Sequence, residues 1–181
     1  EDGSKLFAAF FKADFDAVLL HAMAFWRQNG DLRAPGSSQR ILEEDRDDRL
    51  SWYFTVELIR ALGLFADSIR RGADDRLAKA AAKLKALGSM AVRTFSDDVS
   101  LLISLLRQVA ERFSDASIYR SVRALGELNA ERMPRMLAFA RDQFSRGRGI
   151  LWSSQRAGLT RLLENSSFAL CTPTGSGKTL V

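Results

Sequence analysis

Residues 50–62 read LSWYFTVELIRAL, and this stretch decides the fold class. Large apolar side chains recur at every fourth position of it, at Leu50, Phe54, Leu58 and Leu62. An α-helix turns once in about 3.6 residues, so these side chains share one face. The spacing predicts a long amphipathic helix that buries this face in a core, and we expect Gly63 or Gly72 to end it.

The same kind of spacing occurs on the N-terminal side of this helix. Apolar residues between Leu19 and Trp26 predict a helix, which Gly30 is expected to end with a left-handed cap. Residues 31–39 have the composition of a loop. The acidic run at 43–48 is expected to lead into the central helix, because carboxylates stabilise the positive end of a helix dipole.

Further helices are predicted towards the C-terminus. Asp74 is expected to cap a short helix that Gly88 closes, and Ser96 is expected to cap a longer one. Ser114 is expected to cap the next helix, and Pro134 suits the first turn of another. Helix-breaking residues are few, with 3 Pro and 12 Gly in 181 residues, so the sequence predicts a mainly α protein.

A domain boundary is predicted in the small, basic segment 145–149, which reads SRGRG. Residues 1–148 are expected to form an all-α helical domain. Residues 149–181 are expected to begin a second, α/β unit, truncated soon after a first helix and a first strand. The strand is predicted at 168–171, where four consecutive residues read FALC.

Positive charge is concentrated in one part of the chain. The whole chain has 27 Lys and Arg residues against 22 Asp and Glu residues. Residues 1–119 carry a net charge of −1, from 17 basic and 18 acidic residues. Residues 120–161 carry +6, from nine Arg and three acidic residues. Such an Arg-rich stretch can contact phosphates, and the alternative that the sequence leaves open is a solvated helix surface.

Composition excludes several other classes of protein. Cys171 is the single cysteine, which excludes a disulfide scaffold and a cysteine-based zinc site. Charged residues at Lys12, Asp14 and Asp16 interrupt the apolar stretch near the N-terminus, so no membrane-spanning segment is predicted. We therefore expect a cytoplasmic protein without a membrane partner.

The residues that carry chemistry follow the predicted strand. Segment 172–179 reads TPTGSGKT, and a helix is expected to start directly after it. Gly175 and Gly177 permit backbone angles and close approaches that a side chain would block. Backbone N–H groups can then converge on phosphates, while Lys178 supplies positive charge to them and the Thr179 hydroxyl ligates Mg²⁺. This arrangement predicts a phosphate-binding loop.

The segment 172–179 resembles motif I of the superfamily-two DEAD/DEAH-type (DExD/H) helicases, in which the first Gly is commonly replaced, as it is by Thr172 here. Gln155 lies 23 residues before Lys178, a spacing similar to that between the adenine-reading Gln and the motif I Lys of these helicases. A carboxamide suits this role because it donates and accepts hydrogen bonds at once. The alternative for Gln155 is a solvated polar residue at the start of a helix.

The resemblance covers about residues 150–181, and it implies that the protein binds ATP and Mg²⁺ and acts on nucleic acid, either DNA or RNA. Thr179 is the Mg²⁺ ligand that it implies. The residues that it assigns to the ATP site are Gln155, Thr172, Thr174, Gly175, Ser176, Gly177, Lys178 and Thr179.

We predict that the chain is the N-terminal part of an ATP-dependent nucleic-acid helicase or translocase, with a helical accessory domain ahead of the first RecA-like lobe. The acidic motif II and the second lobe are absent from these 181 residues, so no catalytic residue and no ATPase activity are expected within this segment alone. Two alternatives are left open. One is another type of P-loop ATPase, and the other is a helical protein-interaction or regulatory module that binds a protein partner.

Overall fold

The computed structural model describes residues 2–45, 47–126 and 130–164, and these residues are mainly helical, as predicted. In chain order the helices are α1 (Asp2–Phe11), α2 (Phe15–Gln28), α3 (Gln39–Glu43), α4 (Arg49–Arg71), α5 (Asp74–Thr94), α6 (Asp97–Ala116), α7 (Ile118–Gly126), α8 (Met133–Ser145) and α9 (Ser153–Glu164). Short 3-10 turns occur at Gly30–Leu32 and Ala130–Arg132. The described ranges hold no β-strand, and an antiparallel bridge joins Ser117 to Ile150. The predicted strand at 168–171 and the phosphate-binding loop at 172–179 lie outside the described residues.

The chain divides into two compact units, Glu1–Glu111 and Arg112–Val181. Helix α6 begins in the first unit and ends in the second. The first unit contains α1 to α5, and the second contains α7 to α9. The boundary predicted from sequence at residues 148 and 149 stays a prediction.

Two of the charged residues that interrupt the N-terminal apolar stretch, Lys12 and Asp14, lie in the turn between α1 and α2, and Asp16 lies in the first turn of α2. Ala13 has a positive φ of 57°, and the Asp14 side chain accepts a hydrogen bond of 3.0 Å from the backbone N–H of Ala17. Asp14 therefore caps α2 and satisfies one of its unpaired N–H groups. Among the helices of the described ranges, none combines the length and the apolar character needed to cross a bilayer.

Helix α4 forms the centre of the first unit, where it packs against α2 and α5. Phe65 is fully buried, and its ring centroid lies 5.4 Å from that of Phe10 and 6.2 Å from that of Phe15. Burial of one such side chain stabilises the folded state by about 1.5–3 kcal/mol. The predicted stripe is buried at Phe54, Leu58 and Leu62, whereas Leu50 at its start is 43% exposed.

Gly72 ends α4, which confirms one of the two predicted positions. Its φ of 65° and ψ of 37° place it in the left-handed region, where a side chain would be strained. Gly63 instead lies within α4, and a Cβ atom built there would be 3.4 Å from the Ala22 Cβ. The small residue at this position allows α2 and α4 to pack closely.

Two predicted helix ends in the first unit were wrong. Helix α2 ends at Gln28, and the Asn29 side-chain amide donates a 3.0 Å hydrogen bond to the Phe25 carbonyl, so Gly30 starts a 3-10 turn without a left-handed cap. Helix α5 continues through Gly88, because this residue packs against α6. A Cβ atom at Gly88 would lie in ordinary contact with the Ile103 side chain, 3.6 Å away.

The predicted starts of the helices from α5 to α8 were correct in some cases and wrong in others. Ser96 lies directly before α6, and Pro134 lies in the first turn of α8, as predicted. Asp74 is the first residue of α5, with Ala73 at the capping position. The predicted cap at Ser114 was wrong. Helix α6 continues to Ala116, and the helical backbone is interrupted only at Ser117, which forms the antiparallel bridge.

Candidate functional site

Gln155 is the one residue of the predicted ATP site that the structure describes. It occupies the third position of α9, and its Oε1 accepts a 2.8 Å hydrogen bond from the backbone N–H of Trp152. A Glu or Gln three residues after the capping position commonly makes this bond, which satisfies a backbone donor at the start of a helix. The alternative, a solvated polar residue at the start of a helix, was correct in its position, but the side chain is only 5% exposed and so is not solvated.

The other residues predicted to bind ATP and Mg²⁺ lie outside the described residues. These residues are Thr172, Thr174, Gly175, Ser176, Gly177, Lys178 and Thr179. Their assignment stays a prediction from the sequence. Within residues 2–45, 47–126 and 130–164, no group of three or more His, Cys, Asp or Glu side chains is arranged to hold a metal ion.

The start of α9 is held by the chain segment that precedes it. The Gly149 carbonyl accepts a 2.9 Å hydrogen bond from the Ile118 N–H, and the Leu151 N–H donates a 2.8 Å bond to the Ala116 carbonyl. These bonds flank the bridge between Ser117 and Ile150, so the segment before α9 runs antiparallel to the junction of α6 and α7. Gln155 is thereby placed beside that junction by backbone hydrogen bonds.

Gly149 is required at this position by an aromatic side chain. A Cβ atom there would lie well inside van der Waals contact with the ring of Phe144. Phe144 in turn stacks on Tyr119, with ring centroids 5.3 Å apart and an angle of 20° between the planes. The aromatic pair therefore supports the segment that positions α9.

Substitution of Gly149 by alanine is expected to destabilise the second unit by about 1–3 kcal/mol, because the Phe144 ring must move to admit the methyl group. Chemical denaturation followed by circular dichroism measures the change. Gly30→Ala serves as the control, since a Cβ atom at Gly30 meets no atom within 4 Å. Equal stability of the two variants would contradict the contact.

A pocket of about 310 Å³ lies between α7 and α9 in the second unit. The Arg120 guanidinium forms an ion pair with the Asp115 carboxylate, and Arg156 Nη1 donates a 3.0 Å hydrogen bond to the Asp115 carbonyl. Asp115 thus contacts Arg120 through its carboxylate and Arg156 through its backbone carbonyl, and the two guanidinium groups make the pocket suited to a small polar or anionic group. The residues that line it are Asp115, Arg120, Ser121, Ala124, Leu125, Arg156, Leu159 and Thr160.

The arginines of residues 120–161 differ in their surroundings. Arg123 lies over the Tyr119 ring, with its guanidinium carbon 5.9 Å from the centroid, and Arg146 forms a 2.9 Å ion pair with Asp142. Most of the other arginines are exposed. Exposure agrees with both alternatives for this stretch, phosphate contacts and a solvated helix surface. The exposed arginines of this stretch that form no ion pair with a carboxylate in the described part of the chain are Arg132, Arg135, Arg141, Arg148, Arg156 and Arg161.

A buried charge cluster in the first unit was missed by the sequence analysis. The Glu57 carboxylate is buried, and it forms ion pairs with Arg60 and Lys83 and accepts a 2.6 Å hydrogen bond from the Ser38 hydroxyl. Burial raises the pKa of Glu57, but hydrogen bonds from Lys83 and Ser38 and the charges of Lys83 and Arg60 outweigh it, so the pKa is lowered. A single acidic residue inside an apolar stripe was the signal that could have indicated this cluster.

Arg60 connects the cluster to the loop between α2 and α3. Its Nη2 donates to the carbonyls of Leu32 at 2.5 Å and Ala34 at 3.2 Å. Its guanidinium also lies over the Trp26 ring, 5.3 Å from the centroid. The cluster holds a loop in place and satisfies every charge from within the unit, so we interpret it as structural.

Comparisons with protein-family models, curated proteins and solved structures found no match to this chain.

Proposed function

We propose that this chain is the ATP-binding N-terminal part of a cytoplasmic ATP-dependent nucleic-acid helicase or translocase. The observation that carries the proposal is the segment TPTGSGKT at 172–179 together with Gln155, 23 residues before Lys178. The buried carboxamide at the start of α9 supports it, because an adenine-reading side chain must be held in one orientation.

The chemistry of the Gln155 side chain suits an adenine contact. A carboxamide combines an acceptor oxygen with a donor nitrogen, and the adenine edge offers the matching amino donor and ring-nitrogen acceptor. Bound ATP would supply the phosphoryl group, and Lys178 and the backbone N–H groups of the loop would balance its charge.

Gln155→Glu separates the two roles of this side chain. Glutamate retains an oxygen that can accept the bond from Trp152, but it also places a charge at a buried position, so circular dichroism of the variant is needed to separate a loss of folding from a loss of binding. The variant has no amide donor, so its affinity for ATP should fall roughly tenfold while its affinity for GTP does not fall. Titration with fluorescent ATP and GTP analogues in the presence of Mg²⁺ measures both affinities.

Lys178→Ala tests the phosphate contacts in the same titration. Loss of a charged hydrogen bond should weaken ATP binding by roughly 10- to 150-fold. Lys85→Ala is the control, because Lys85 is an exposed lysine of the first unit. ATP binding that is equal in the Lys178 and Lys85 variants, or absent from the unmodified protein, would contradict the proposal.

A helical protein-interaction module attached to another type of P-loop ATPase is the second candidate function. Exposed apolar side chains on α5 and α6 favour it: Val92 is 74% exposed, Leu101 is 60% exposed and Leu105, one turn later, is 44% exposed. Nucleotide binding that depends on Lys178 but does not distinguish ATP from GTP would favour this candidate over the helicase.

A further inference from the structure

One face of α8 and of the turn before it presents an aromatic ring among arginines. The residues are spaced by three and four positions, at Arg132, Arg135, Phe139, Asp142 and Arg146. At 100° per residue these positions fall within an arc of about 80°, so they form one stripe along the helix. We call this set the α8 stripe. It extends for about 21 Å at 1.5 Å per residue.

Phe139 is the apolar member of the α8 stripe, and it is 47% exposed. Phe144 lies on the opposite side of the same helix and is buried against Tyr119. Helix α8 thus buries the ring of Phe144, whereas it leaves the ring of Phe139 exposed. A single exposed apolar residue is common, but a ring placed between basic side chains suits a ligand that is both planar and anionic.

Charge on the α8 stripe is only partly balanced. Asp142 is paired with Arg146, at 2.9 Å, and Glu131 is exposed one residue before the stripe begins. Among the described residues, no carboxylate forms an ion pair with Arg132 or Arg135. Arg135 lies about one helical turn from Phe139 and Arg132 about two turns from it, and these are the cations that a ligand meets on the stripe.

We propose that the α8 stripe binds single-stranded nucleic acid, with a base stacked on Phe139 and phosphates at Arg132 and Arg135. Stacking on an aromatic ring requires an exposed base face, which a single strand offers and a duplex conceals. Phosphate contacts by arginine then make the binding dependent on salt. The inference rests on the proposed function in its choice of nucleic acid as the ligand, but not on the ATP site.

Arg141 provides a control within the same helix. It is exposed, but it lies about 140° around the helix from the middle of the α8 stripe. If binding depended on net charge alone, Arg135→Glu and Arg141→Glu would weaken it equally. The stripe predicts unequal effects from the same change in charge.

Fluorescence anisotropy with a labelled oligo-dT strand, without nucleotide, measures the binding. For Arg135→Glu we expect an affinity roughly tenfold lower at about 50 mM salt, and a salt slope smaller by about one. For Arg141→Glu we expect less than about a twofold change. Asp142→Asn should increase the affinity, because it leaves Arg146 without its carboxylate partner.

Substitutions of Phe139 test the stacking contact. Phe139→Ala should lower the affinity roughly tenfold, and Phe139→Tyr should retain it, because tyrosine keeps the aromatic face. Leu105→Ala, which removes an apolar side chain of similar exposure at 44%, is the control. Circular dichroism of each variant separates a loss of binding from a loss of folding.

Equal binding by the Arg135 and Arg141 variants, or unchanged binding by Phe139→Ala, would overturn the inference. Preference for a duplex of the same sequence over the single strand would also overturn it. The result can be separated from the ATP proposal. A protein that binds oligo-dT through the α8 stripe but not ATP would refute the proposed function alone, and one that binds ATP but no oligo-dT would refute this inference alone.

Discussion

Replacing Glu57 by glutamine should lower the free energy of unfolding by about 3 kcal/mol at neutral pH. The substitution removes the negative charge that Arg60 and Lys83 share and leaves two cations close together with no carboxylate between them. Loss of one partner from a buried ion pair costs about 3–5 kcal/mol, and we expect the lower end because Lys83 is one-third exposed. Urea denaturation followed by circular dichroism measures the change.

The effect should depend on pH in a defined direction. The pKa of Glu57 is lower in the folded protein than in the unfolded chain, so its carboxylate stabilises the folded state above the ordinary Glu pKa of about 4.3. This contribution is lost as the pH falls through the lower pKa of the folded state. The stability difference between the original protein and Glu57→Gln should therefore be full at pH 7 and shrink below about pH 4.

Glu111→Gln is the matched control for this prediction. Glu111 is exposed, and its carboxylate lies 3.9 Å from Arg107 in the i, i+4 arrangement. An exposed pair of this kind contributes less than about 1 kcal/mol. If Glu57→Gln and Glu111→Gln had the same stability at pH 7, the buried cluster would not stabilise the fold as we infer.

Phe65→Ala should have the largest effect on the core of the first unit, with a loss of about 3–5 kcal/mol. Phe65 is fully buried and touches the rings of Phe10 and Phe15, so its removal leaves a cavity that its rigid neighbours cannot fill. Thermal and chemical denaturation measure the loss.

Phe11→Ala is the control for the core prediction. Phe11 is 41% exposed and meets Phe10 edge to face, with ring centroids 6.4 Å apart. Truncation at this position leaves little cavity, so we expect a loss of less than about 1.5 kcal/mol. A similar loss for both variants would contradict the central position of Phe65 in the core.

The helical class of the fold was predictable because it depends on local spacing. The residues Phe54, Leu58 and Leu62 share a face whatever the rest of the chain does, and all three are buried. Helix ends were less predictable. Gly72 has the left-handed backbone that favours glycine and ends α4. Gly88 instead packs next to Ile103 inside a continuous helix. The contact with another helix distinguishes Gly88 from a glycine that ends a helix, and local sequence does not show that contact.

The candidate sites also differ in whether they depend on local spacing or on contacts between helices. The role of Gln155 in an ATP site stays a prediction from its distance along the chain to Lys178, and its hydrogen bond from the Trp152 N–H is a local bond that the sequence permits. The partners of Glu57 include Ser38 and Lys83, which are 19 and 26 residues away. The acidic residue among apolar ones could have indicated a buried charge, but no spacing rule identifies its partners, because they meet only when α4 packs on its neighbours.

The bridge between Ser117 and Ile150 has a consequence for the order of folding. It joins two residues on either side of the whole of α7 and α8, and closing a loop of that length costs chain entropy before any contact repays it. The helices inside the loop involve mainly local contacts and form quickly. We therefore expect α9, whose start is held by the bonds that flank this bridge, to be the last part of the second unit to reach its position.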